Sequence, residues 1–162
     1  TIGGSIALSV DDSPLMWFTG YVDAPEQTRE RFTADGGWYF SGDVGRADGP
    51  DFFFASRDDD VILAAGYRIA PFDIESILVT DDAVIEAAVV GRPDEIRGEV
   101  IEAFVVVDPA VGAGDDLVTR LQNAVRGTYG AHAYPRRVHV VEELPKTPSG
   151  KVQRFVLRDL EV

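Results

Sequence analysis

Residues 57–80 read RDDDVILAAGYRIAPFDIESILVT, and the succession of patterns within them decides the fold. Asp58, Asp59 and Asp60 repel one another and favour a solvated turn over strand interior, so they read as a connector. The run VILAAGYRI that follows has the apolar content of a strand, broken at Gly66. From Ile69 the period changes. Ile69, Phe72, Ile74, Ile77 and Leu78 are spaced for one face of a helix whose first turn suits Pro71.

Working outward toward the C-terminus, AVIEAAVVG (83–91) and EVIEAFVVVD (99–108) are apolar strands separated by the turn RPDEIRG. DDLVTRLQNAVRGTY (115–129) is the clearest helix, with Leu117, Leu121 and Val125 on one stripe and Asp115 or Asp116 as its cap. RVHVVEEL (137–144) alternates as a strand, PKTPSG (145–150) is a turn, and KVQRFVLRDL (151–160) reads as a short terminal helix or a strand followed by a helix. The order from residue 61 is thus β-α-β-β-α-β-α, a compact α+β domain with a small sheet and packed helices.

Toward the N-terminus the character differs. GGSIALSV (3–10) alternates like a strand already inside a sheet, PEQTRERF (25–32) reads as a short helix with an early proline, and DGGWYFSGDVG (35–45) with RADGPDFFFAS (46–56) form two aromatic-rich strands of a hairpin. Residues 1–58 therefore read as antiparallel sheet with one helix, too small to be stable alone, and residues 59–162 as the α+β domain. A chain opening on Thr1 inside a strand pattern reads as a piece of something larger.

The 162 residues are 45% hydrophobic and 27% charged, which fits a globular protein. With zero cysteines there is no disulfide framework, thiolate metal site or Cys nucleophile. His132 and His139 have no carboxylate between them in sequence, which speaks against a His-rich metal site. A net charge of −13 argues against binding nucleic acid or anionic membrane. No apolar run approaches the ~18 residues of a membrane span and no basic-then-apolar secretory start is present, so the cytoplasm is the default location.

The basic residues are unevenly chosen and unevenly placed. Residues 131–162, with 6 bases and 4 acids, form the only net-positive stretch. Thirteen of the 15 bases are arginines, and the two lysines, Lys146 and Lys151, both fall in PKTPSGK. A compact, mobile ammonium on a Pro/Gly turn suits a developing anion, although a solvated surface lysine has the same signature. Asp43, after a strand, is placed to accept hydrogen bonds from a cis-diol or to bond its own turn. Arg57 and Arg68 suit phosphates, or the aspartates beside them.

In order and spacing, GWYFSGD (37–43), RDDDVILAAGYRIAPFDIE (57–75), PDEIRGEVIEAFVVV (93–107) and PKTPSGKVQR (145–154) resemble the C-terminal third of the adenylate-forming acyl-CoA synthetases, the AMP-dependent ligases, and most of all the medium-chain members. The resemblance covers essentially the whole chain. It implies that residues 59–162 are the mobile C-terminal lid domain of the acyl-adenylate-forming fold and residues 1–58 the end of a large N-terminal adenylation domain. It implies that Asp43 holds the ATP ribose, that Arg57 contacts the nucleotide, and that Arg68 lies near phosphates. Asp59 falls on the hinge, Gly66 on the strand turned toward the CoA tunnel, and Lys151 on the lysine needed for adenylation. Asp58 departs from the pattern, since many members carry an apolar residue there. ATP as its magnesium complex, a carboxylic acid and CoA are implied as substrates, in fatty acid metabolism, with no metal site in this stretch. No phosphate loop, acyl pocket or adenine platform is legible in the chain, so it is expected to be inactive without its N-terminal partner domain. Loading of a carrier-protein thiol instead of CoA, or a non-catalytic interaction module, would share the same motifs.

Overall fold

The computed structural model of the chain describes residues 3–161, in two compact units, Thr1–Asp59 and Asp60–Val162. In the first, β1 (Gly4–Ser9), β2 (Trp38–Asp48) and β3 (Asp51–Arg57) form an antiparallel sheet in the order β1-β2-β3. Helix α1 (Pro25–Arg29) lies between β1 and β2 in the chain, and Pro25 occupies its first turn, where a missing N–H is harmless. β2 runs on past Asp43 instead of ending there, because opposite Ile6 it accommodates Ser41, Gly42 and Asp43 in a bulge: Ser5 pairs with Val44 but Ala7 with Phe40. Phe18, Tyr21, Phe32 and Tyr39 form an aromatic cluster with centroids 5.0–6.1 Å apart. Among the described residues of this unit, Val44 is the only buried apolar side chain, while Phe52, Phe53, Phe54 and Trp17 are exposed.

The second unit has a five-stranded sheet. β4 (Ile62–Ala64) and β5 (Tyr67–Ile69) are a hairpin, β6 (Val84–Asp94) pairs antiparallel with β7 (Gly98–Val107), and β8 (Arg137–Val141) joins β7 in parallel. The order is β5-β4-β7-β6, with β8 alongside β7. The expected single strand over VILAAGYRI is thus two strands. Ala65 (φ 50°) and Gly66 (φ 83°) are both left-handed, the geometry of a tight two-residue turn matched to strand twist, so the glycine reverses the chain instead of merely interrupting it.

Alternation along β6 and β7 makes the sheet apolar on both faces. Ile101, Ala103, Val105 and Val89 face α2 (Pro71–Leu78) and α3 (Leu117–Thr128), which bury Ile74, Leu78, Leu117, Leu121 and Val125. Phe104, Val106, Ala88 and Val90 face the other way, against Leu144 and, from α4 (Arg154–Asp159), Leu157. Phe72, expected on the inner face of α2, is exposed, because the helix packs through Ile74 and Leu78. Neither Asp115 nor Asp116 caps α3 through its side chain. Asp116 sits at the cap position, but its carboxylate goes instead to Arg120.

Arg120 of α3 also reaches Asp81, just after α2, through two parallel bonds of 3.0 and 3.1 Å. That fork lowers the Asp81 pKa from its ordinary value of 3.8, with help from the Ala83 amide. A depressed carboxylate contributes stability that is complete above its unfolded pKa and is lost as pH falls through the folded one. Urea unfolding of the chain between pH 6 and pH 2 is therefore expected to show a smaller acid loss for Asp81→Asn than for the parent. Equal acid sensitivity would remove the linkage. Leu121→Ala, at a fully buried position, is expected to cost about 3 kcal/mol in the same measurement.

Candidate functional site

The charged groups singled out from sequence fall into two sets. Asp43, Arg57 and Asp59 belong to the first unit; Gly66, Arg68 and Lys151 belong to the second. In the first, Asp43 and Arg57 are cross-strand partners on β2 and β3. Arg57 Nη1 donates to Asp43 Oδ1 at 3.2 Å and to the Ser41 carbonyl at 3.3 Å, and Nε lies 3.5 Å from Asp59 Oδ1. Partial burial works against the charge, but Asp59 and Asp43 together hold the guanidinium pKa above its ordinary value. Arg57 thus pairs with the aspartates beside it, while about two-fifths of its side chain stays exposed. The Asp59 carboxylate is three-quarters exposed in the 3-10 turn Asp58–Asp60.

The bulge does the positioning. Gly42 has φ +81°, and a Cβ there would lie 2.6 Å from Arg31 Nη1 and 3.0 Å from Arg57 Nη2. Glycine suits both the left-handed backbone of the bulge and the two guanidinium ends packed against it. Sequence reasoning missed Arg31, whose guanidinium ends beside Gly42 because the Phe40 amide of β2 donates to the Arg31 carbonyl at 2.7 Å, a pairing that no sequence pattern announces.

In the second unit, Gly66 occupies the tip of the β4–β5 hairpin with open space where a side chain would be, so its φ alone demands glycine. Arg68 stands on β5 opposite Leu63, on an exposed position. Lys151 leaves a loop that braces itself. The Thr147 amide donates to the Lys151 carbonyl (2.8 Å), the Lys151 amide to Thr147 Oγ1 (3.1 Å) and the Gly150 amide to the Thr147 carbonyl (2.8 Å). A bridge joins Lys146 to Val152 across its base, and Gly150 at φ +84° closes the turn. The two lysines have separate fates. Lys146 Nζ is bound to Glu86 of β6 at 2.6–2.8 Å, whereas the exposed Lys151 ammonium has no ion pair or hydrogen bond among the described residues.

Sequence reasoning also missed a further charged group. Glu102 is fully buried on β7, yet accepts from Arg137 (2.8 Å) and meets His139 Nε2 at 2.9 Å, with Arg92 Nε 3.3 Å away. The lack of a carboxylate between the histidines in sequence is therefore no guide to space. The signal available was a lone acid at an inward position of an apolar strand, which requires a partner. Among the described residues no cluster of three His, Asp or Glu side chains is arranged to hold a metal ion.

Residues 73–151 match the family model of the AMP-binding enzyme C-terminal domain. The chain is 46% identical to the mitochondrial acyl-coenzyme A synthetase ACSM3 of Mus musculus and 45% identical to the mitochondrial ACSM4 of Homo sapiens, in each case over 98% of the chain and 28% of the relative. It is also similar to a Brucella canis acyl-CoA synthetase (46% identity, TM-score 0.60, 96% of this chain and 28% of that one). The ATP-bound MatB of Rhodopseudomonas palustris superposes with a TM-score of 0.79 at 31% identity, over 88% of this chain and 28% of its own. The chain thus spans little more than a quarter of the length of these relatives. The mitochondrial names of the mammalian relatives overturn the cytoplasmic default, which rested on the lack of a secretory start in a stretch matching only part of such proteins.

With only two lysines, the difference between their surroundings is directly measurable. Limiting acetic anhydride followed by peptide mass spectrometry is expected to modify Lys151 several-fold faster than the ion-paired Lys146. Equal rates would mean that the Glu86 bond does not persist in solution.

Proposed function

Because the chain belongs to the adenylate-forming acyl-CoA synthetase family and matches its C-terminal portion, including the AMP-binding enzyme C-terminal domain at residues 73–151, we propose that it serves an ATP-dependent acid–thiol ligase. Residues 1–58 complete a large N-terminal adenylation domain, and residues 59–162 are the lid. The observation that carries this reading is the Lys151 ammonium, unpaired among the described residues, on a self-braced loop in the only net-positive stretch of an acidic chain. The exposed aromatic residues of the first unit, with Val44 its one buried apolar side chain among the described residues, support a larger body against which it packs.

A carboxylate is a poor acyl electrophile. In the first step its oxygen attacks the α-phosphorus of ATP, a bond to pyrophosphate breaks, and the acid becomes an acyl-adenylate. In the second, the CoA thiol attacks the acyl carbon, AMP leaves and the thiol proton passes to solvent or base. Lys151 stabilises the negative charge gathering on the α-phosphate and carboxylate oxygens of the first step, a point-charge role suited to ammonium. Asp43 accepts hydrogen bonds from the ribose hydroxyls, and Arg57, already anchored to it, contacts the nucleotide from the same hairpin. Arg68 faces phosphates. Rotation at Asp59 then withdraws Lys151 and brings the Gly66 turn to the pantetheine arm, where a glycine with open space before it lets a narrow chain pass. A carboxylic acid is the substrate class, with ATP as its magnesium complex and CoA as the acceptor.

In the full-length protein, Lys151→Ala is expected to lower acid-dependent pyrophosphate exchange by at least about 100-fold, the usual worth of one preorganised electrostatic group. Thioester formation from supplied acyl-adenylate should change far less. Undiminished exchange would overturn the ligase reading, and the chain alone is expected to form no acyl-CoA.

A further inference from the structure

Four charged side chains outside that site meet in one half-buried cluster of the second unit. Arg154, on the first turn of α4, makes paired bonds of 2.9 Å from Nη2 to both oxygens of Glu75 on α2, with Nε 3.3 Å from Oε1. Its Nη1 reaches Asp60 Oδ2 at 3.1 Å, and Arg158, one turn on, reaches Asp60 Oδ1 at 2.7 Å. Glu75 Oε1 also accepts the Val89 amide of β6 at 2.8 Å. Burial opposes the Arg154 charge, but Glu75 and Asp60 more than offset it and raise its pKa.

Two features set this cluster apart from an ordinary ion pair. Its acceptor Asp60 directly follows Asp59, and its donor Arg154 follows Lys151 by three residues, at most roughly 11 Å of extended chain. The far end of α4 is held as well: Arg92 Nη2 donates to the Leu157 and Leu160 carbonyls at 2.9 and 2.5 Å. Stability alone does not call for such an arrangement, since apolar side chains of similar volume commonly serve as well as partly buried ion pairs. What forked, charge-assisted bonds add is a fixed direction.

We propose that Arg154 is a positioning residue, locking the Lys151 loop to the first residue beyond the hinge so that rotation at Asp59 moves the lysine without slack. The inference rests on the reading of Lys151 as the adenylation lysine and of Asp59 as the hinge. The Gly66 turn lies on the β4–β5 hairpin outside the clamp, so loss of the clamp affects the first half-reaction and spares the second.

The test uses the full-length protein and three variants, Arg154→Lys, Asp60→Asn and Lys151→Ala, with folding checked by circular dichroism. Arg154→Lys keeps the charge and loses the fork. Asp60→Asn keeps the shape and needs no change on α4, so it decides the matter if the first variant does not fold. Each of these two is expected to lower pyrophosphate exchange about 10-fold or more, the order of effect of a small misplacement of a reacting group. Thioester formation from supplied acyl-adenylate should stay within about two-fold of the parent, a split that general loosening of the fold would not produce. Parallel losses in both half-reactions, or unchanged exchange in Asp60→Asn beside abolished exchange in Lys151→Ala, would overturn the clamp alone. Undiminished exchange in Lys151→Ala would overturn the ligase reading and the clamp with it.

Discussion

A strand that is apolar on both sides has to be covered on both sides, and β7 imposes that requirement on everything around it. One face of the β6–β7 pair takes α2 and α3 through Ile74, Leu78, Leu117, Leu121 and Val125. The opposite face needs a second cover, and the C-terminal segment supplies it with Leu144 and Leu157. The PKTPSGK loop is strung between those two anchors, so the place of Lys151 follows from the burial of two leucines more than from any bond made by the lysine. At ~25 cal/mol per Å2 of apolar area, such burial is also the dominant attraction holding the segment down.

Glu102 lies on that second face and sharpens its specificity. A bare carboxylate beside Phe104 and Val106 would be heavily penalised, and Arg137 and His139 offset this with hydrogen bonds while the Arg92 guanidinium adds a positive charge 3.3 Å away. Arg137 and His139 come from β8, which fixes the parallel register of that strand against β7. Arg92 comes from β6 and extends to the carbonyls at the end of α4. A single buried acid thereby links sheet order to helix placement, which a purely apolar face, tolerant of sliding, would not do.

Much of this was legible in the chain. The stripe of Leu117, Leu121 and Val125 marks α3 because a 3.6-residue period has one interpretation at that length. Pro25 and Pro71 mark helix starts because their fixed φ and missing N–H fit there and nowhere deeper. Phe72 misled because a five-residue apolar spacing does not say which edge of the stripe meets the sheet. The turn at Ala65 and Gly66 was misread because an alanine at positive φ is against local preference, and tertiary pairing with β7 is what holds it there. Motif residues were readable one at a time, but Arg31 beside Gly42 and the Asp60–Glu75–Arg154 cluster depend on contacts between separate segments of chain, which periodicity does not encode.

The uneven distribution of the interior has a practical side. Among the described residues every buried apolar side chain except Val44 lies beyond Asp60. A recombinant piece trimmed to start at that aspartate would retain all of that oily interior but Val44, with its salt-bridged helix, while shedding the exposed run Phe52–Phe54 that invites clumping. The natural place to cut for a well-behaved minimal domain is thus the acidic triplet itself.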